Sequence, residues 1–96
     1  GFLSLLSDFV GSLKSGNNAL ALQHLSGPLQ VQFAPVFDLL RPTMSQIIDT
    51  FKGFGSVSID GDIATYAAKR QADGKTRIFL IDFLRDFDGV WRIDSM

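Results

Sequence analysis

Three Asp-Gly pairs, Asp60-Gly61, Asp73-Gly74 and Asp88-Gly89, punctuate the second half of the chain, and each lies between runs of β-forming residues. Tight hairpin loops need a positive backbone φ, and Asp-Gly supplies it at low steric cost, so the pair is a strong short-range hairpin signal. Strands joined by so few residues must be antiparallel neighbours, because a parallel connection needs a crossover of a dozen residues or more. Three such turns therefore predict a four-stranded antiparallel meander over "GSVSIDGDIATYAAKRQADGKTRIFLIDFLRDFDGVWRIDSM".

With two-residue loops the register can be written down. Around the second turn Tyr66 pairs with Ile81, Ala68 with Phe79 and Ala64 with Phe83. Around the third, Phe83 is expected opposite Asp94 and Arg85 opposite Arg92. One face then carries Tyr66, Phe79, Ile81, Phe83 and Val90, rimmed by Arg70, Arg77, Arg85, Arg92 and Asp94. The other carries Ile63, Ala67, Ile78, Leu80, Leu84, Trp91 and Ile93, crossed by a polar row of Thr65, Asp82 and Ser95. A half-exposed antiparallel sheet has one apolar face, whereas here both are apolar.

The first half has a different period. Phe2, Leu5, Leu6, Phe9, Val10 and Leu13 recur every three or four residues, the stripe of an amphipathic helix. Gly16 suits a left-handed helix end, and Asn17 or Asn18 a cap for a second, short helix, "ALALQHLS", expected to stop at Ser26-Gly27-Pro28. A third helical region places Pro35 in its first turn and is broken at Pro42, with Arg41 pushed out of helical geometry. Thr43 and Gln46 resemble a capping box before a last helix with Met44, Ile47, Ile48 and Phe51 on its apolar side, closed by "KGFG". The sum is one α+β domain over residues 1–96, with helices over about 2–53 and a sheet over about 54–96.

Composition narrows the function. Nine Lys+Arg against ten Asp+Glu, without a basic cluster, argue against nucleic-acid binding. The chain has no cysteine and one histidine, which excludes disulfides, thiolate metal sites and multi-histidine zinc sites, and no cofactor is expected. "GFLSLLSDFVGSLK" is too short and too polar to span a bilayer, and it lacks the basic leader and cleavage site of an intact signal peptide. Gly1 stands where an initiator Met is expected, which suggests a remnant of a tag and a natural segment upstream.

Among ionisable residues Asp82 is the main candidate for chemistry. Apolar neighbours in "IFLIDFL" predict partial desolvation, which raises a carboxylate's pKa toward the range of a general base. The plainer alternative is a carboxylate satisfied by Thr65, Ser95 or a backbone amide. Tyr66 is a candidate hydrogen-bond donor to a bound oxygen, or else a packed aromatic. His24 reads as a solvated helix residue, and Arg85, Arg92, Asp86 and Asp94 as cross-strand charge pairs. No phosphate loop, nucleophile elbow or calcium loop is present in the sequence.

The helical front half with "FVGSLKSGNNALALQHLS", followed by strands ending in "YAAKRQADGKTRIFLIDFLRDFDGVWRIDSM", resembles the nuclear transport factor 2-like, or cystatin-like, superfamily, in particular bacterial members found in exported proteins and lipoproteins. The resemblance implies a curved antiparallel sheet wrapped around helices, a cone-shaped cavity, and commonly a homodimer formed through the sheet. It also implies an extracytoplasmic setting. Enzymes of the superfamily, polyketide cyclase-like or isomerase-like, hold acid and base residues inside the cone, the parts that Asp82 and Tyr66 would take here. Many members bind ligands or partners without catalysis, with Tyr66, Phe79, Phe83 and Trp91 the expected ligand-facing residues in this chain. A pure dimerisation module is the third expectation.

Overall fold

A computed structural model describes residues 1–96 and has the expected α+β order. Helices α1 (Phe2–Lys14), α2 (Asn18–Gln23) and α3 (Gly27–Leu40) lead through a single 3-10 turn at Arg41–Thr43 to α4 (Met44–Asp49). Strands β1 (Phe51–Asp60), β2 (Ile63–Ala72), β3 (Lys75–Arg85) and β4 (Trp91–Ser95) then form one antiparallel sheet in sequence order.

The α1 stripe is the one its spacing predicts: Leu5, Leu6, Phe9 and Leu13 are buried against the sheet and the other helices. Gly16 adopts φ +83°, and the Asn17 side chain accepts the Leu20 amide at 3.2 Å to start α2. The next boundaries differ from expectation. Pro28 occupies the first turn of α3, so Pro35 lies inside that helix and leaves a missing N–H in its interior. Arg41 keeps helical dihedrals (φ −47°, ψ −46°), and the chain tightens at Pro42 into the 3-10 turn. Thr43 makes no capping box. Its hydroxyl donates back to the Leu40 carbonyl at 3.3 Å. Phe51 and "KGFG" belong to β1, so the sheet starts at Phe51 and not near residue 54.

Each Asp-Gly pair turns the chain in a different way. At the first, Asp60 pairs with Ile63, which makes Gly61-Asp62 the two-residue loop, with Gly61 at φ +59°. At the second, Asp73 and Gly74 both take positive φ (54° and 71°), the requirement of a type I′ turn. The β2–β3 register follows: Tyr66 lies opposite Ile81, Ala68 opposite Phe79 and Ala64 opposite Phe83.

The third loop is one residue longer. Gly89 N–H donates to the Asp86 carbonyl at 2.9 Å and Asp86 N–H to the Val90 carbonyl at 3.0 Å, enclosing Phe87-Asp88-Gly89 with Gly89 at φ +78°. This is the three-residue hairpin loop that ends in a left-handed residue. The extra residue slides β4 by one position, and a one-residue slide exchanges the faces of a strand. Phe83 therefore faces Ile93, Leu84 faces Arg92 and Arg85 faces Trp91. Trp91 and Ile93 join the helix-covered face, while Val90 and Arg92 leave it, contrary to the two-residue expectation. Between Asp82 and Phe83 the register shifts once more, setting Asp82 opposite Ser95.

The core lies between the helices and this face. Phe83, Leu25 and Ile93 are its largest fully enclosed side chains. Burial of each stabilises the fold by about 1.5–3 kcal/mol relative to exposure. The middle of β4's outer edge is also occupied: Ile93 N–H donates to the His24 carbonyl and Ser26 N–H to the Ile93 carbonyl, both at 2.8 Å. Within the helical layer, Lys14 on α1 meets Asp49 on α4 at 2.8 Å.

Candidate functional site

The helix-covered face of the sheet is filled at one end and open at the other. At the β3–β4 end, Phe2 of α1 inserts among Tyr66, Phe83 and Trp91, with ring centroids 5.5, 5.8 and 5.0 Å away. Tyr66 and Phe83 also meet edge to face at 6.0 Å. Arg85 closes this cluster from outside, its guanidinium 5.5 Å from the Trp91 ring centre. Three of the four residues expected to face a ligand are thus packed by a phenylalanine of the same chain.

The fourth, Phe79, stands at the open end. There a cavity of about 410 Å³ runs between α1, α3, α4 and strands β1–β3. Phe9 and Leu13 form its α1 wall, Phe37 and Leu40 its α3 wall, and Ile47 and Ile48 its α4 wall. The sheet side is Phe51, Phe54, Ala68, Phe79 and Ile81. Phe51 stacks near Phe54 at 6.2 Å and meets Phe79 at 6.1 Å, so the three rings make an aromatic lip around the small Ala68. Seventeen of the 18 lining residues are hydrophobic, and Arg70 is the exception. Its Nε–H donates to the Thr50 hydroxyl at 2.8 Å. Phe54, Phe79 and Val36 remain 43, 40 and 37% exposed at the mouth. Apolar side chains left wet around a concavity mark a binding groove more often than a defect.

Asp82 lies on the opposite face of the sheet, away from the cavity. Ser95 Oγ donates to one of its carboxylate oxygens at 2.6 Å and Thr65 Oγ1 to the other at 2.7 Å. These two bonds, Ser95 first and Thr65 second, hold its pKa below the ordinary aspartate value, against a smaller opposing effect of burial. The rise expected from the apolar sequence neighbours is therefore reversed. A carboxylate held in its ionised form by two hydroxyls is a weak proton acceptor at neutral pH. The expected polar row of Thr65, Asp82 and Ser95 is present and forms a hydrogen-bonded chain across the outer face.

The closing hairpin carries a separate charge cluster. Arg92 bonds Asp86 and reaches Asp88 at 2.9 Å, which lowers the Asp88 pKa and raises that of Arg92. Arg85 pairs with Asp62 in the first hairpin loop. Both arginines are thereby tied to turns, and Arg85–Asp62 joins two hairpins; Asp94 takes no part in either pair. His24 ends α2, half-buried beside a shallow polar groove that includes Ser7, Asp8 and Ser12. No group of three or more acidic or imidazole side chains is placed to hold a metal ion. No helix is long and apolar enough to cross a membrane.

Sequence reasoning assigned the helix residues of the cavity to the core stripe and so did not mark Leu40, Ile47 or Ile48 as a wall. One signal was available: the small residues Ala64 and Ala68 alternate with Tyr66 on the covered face, and Ala68 is flanked by Phe54 and Phe79 across the ladder. A small side chain between aromatic neighbours leaves a hollow unless a helix fills it. The chain matches no protein-family model, no curated protein sequence and no solved structure.

Proposed function

We propose that this chain is a non-catalytic binding domain of nuclear transport factor 2-like build, whose cavity between helices and sheet takes a small apolar ligand. The observation that carries the reading is the cavity wall: about 410 Å³ lined by 17 hydrophobic residues and Arg70. That volume lies within the usual 300–1,000 Å³ range of small-molecule sites. Such a wall supplies burial and shape, and its one polar side chain is a guanidinium, a hydrogen-bond donor with no acceptor. The remote, ionised Asp82 weakens the alternative of an isomerase- or cyclase-like enzyme with Asp82 as base and Tyr66 as donor. The extracytoplasmic setting of exported relatives of that superfamily belongs to the same proposal.

A neutral, environment-sensitive dye such as Nile red tests the cavity. The intact chain is expected to bind it with a blue shift in emission. Val36→Glu, at the partly exposed rim, should abolish the shift while leaving the circular dichroism spectrum intact. An unchanged shift in that variant would remove the cavity from the reading.

A second reading, association of two copies through the outer sheet face, is favoured by Ile63, Ile78 and Leu80, which are 56, 60 and 55% exposed. It ranks second because the ionised Asp82 row crosses that face and would lose water in the interface.

A further inference from the structure

The apolar cavity adjoins a second, polar recess. Arg70 and Phe79 line both the cavity and an adjoining hollow of about 350 Å³ at the β2–β3 hairpin, whose other charged walls are Lys75, Arg77 and Asp73. Three cations thus face one carboxylate. None of the three takes part in an ion pair, although Lys14, Arg41, Arg85 and Arg92 all do. Arg70 and Arg77 moreover stand directly opposite each other in the β2–β3 ladder. Like charges in that position destabilise a sheet, and an anion between them would remove the penalty. The chain as a whole is nearly neutral at −1, so this concentration of unpaired positive charge beside the cavity is local.

We propose that the ligand is a monomeric amphiphile with an anionic head: its apolar tail fills the cavity and its head group lies against Arg70, Arg77 and Lys75. The inference rests on the cavity reading above and adds the chemistry of the head. Guanidinium groups present paired N–H donors that match a carboxylate or phosphate, and a charge-assisted bond is roughly twice as strong as a neutral one. The aromatic lip of Phe51, Phe54 and Phe79 marks where the tail passes from recess to cavity.

Calorimetric titration with decanoate, decanol and decyltrimethylammonium, each below its micelle concentration, separates tail from head. Decanoate is expected to bind at least about tenfold more tightly than decanol, a difference of about 1.4 kcal/mol. Decyltrimethylammonium should bind more weakly still, and decanoate affinity should fall as salt is raised. Arg77→Gln alters an exposed side chain with no internal partner, so the fold is spared. It should weaken decanoate about tenfold by the same arithmetic and leave decanol unchanged. Equal binding of decanol and decanoate, or an unaffected Arg77→Gln, overturns the head-group assignment while the cavity reading stands. Binding of none of the three overturns both. Sedimentation with phosphatidylglycerol vesicles in the absence of decanoate binding would also overturn it, by making the anion part of a membrane surface.

Discussion

In sequence Asp82 is flanked by Ile81 and Phe83, and in space it shares a face with Thr65 and Ser95. The pleat separates a strand residue from its immediate neighbours and brings it beside cross-strand ones, so the apolar run around Asp82 says little about its surroundings. The polar row itself was legible because Thr65, Asp82 and Ser95 occupy the same face under the pairing rule. The direction of the pKa shift was not, since it depends on two hydroxyl rotors and not on residue spacing. The linkage has a definite sign. A carboxylate with a lowered folded-state pKa contributes stability above its unfolded pKa of about 3.9, and loses it as pH falls through the folded value. Asp82→Asn should therefore cost about 1 kcal/mol at pH 7, with the difference from the parent chain vanishing in strong acid. Urea unfolding at pH 7 and pH 2 measures it, and an equal difference at both pH values would show that the hydroxyl bonds are not the cause.

At the scale of elements, the third hairpin shows why a turn signal can fix a hairpin yet misplace its faces. Asp-Gly serves a two-residue loop when both residues are central, and a three-residue loop when Gly is the left-handed third residue. Here Phe87 is fully exposed and buries nothing, so it is free to enter the loop. The gain comes from Trp91 and Ile93, which reach Phe2 and the core only in the longer-loop register. Burial outweighed the shorter loop. Helix α3 illustrates the same priority, since its interior Pro35 contradicts local preference while Leu29 and Phe37 are buried on either side of it. Pro35 is exposed, and Pro35→Ala should restore the missing donor without disturbing packing. Stabilisation by about 1–3 kcal/mol is expected, read as a higher melting temperature. A lower melting temperature would mean that α3 depends on the bend the proline imposes.

For the whole molecule, strand alternation marks two apolar sheet faces, and the structure assigns one to the helices. A cavity between helices and sheet was expected, but its position was not legible because it depends on where Phe2 lands. That side chain fills the Tyr66–Phe83–Trp91 end and leaves the Phe51–Phe79 end open. Helix stripes and strand alternation carry no information on such a meeting. The outer face is split by the Asp82 row, with Ile63 and Leu84 on one side and Ala67, Leu80 and Ile78 on the other. If two copies associate there, light scattering should report a concentration-dependent dimer that Leu80→Lys dissociates. A monomer throughout the micromolar range removes that reading.

The bonds from Ile93 to His24 and Ser26 also govern how the sheet can grow. They occupy the centre of the short β4 edge, so a strand from another molecule finds open ladder only along β1 and along the length of β3, Lys75–Ile81, that β4 does not cover. The β1 edge is interrupted by register shifts between Phe51 and Gly53 and between Ser56 and Ser58, and it carries Lys52. Bulges and a lysine are devices that discourage edge pairing. Ile93 thus closes the β4 edge to backbone pairing, and any growth of the sheet is left to β1 and to the uncovered length of β3.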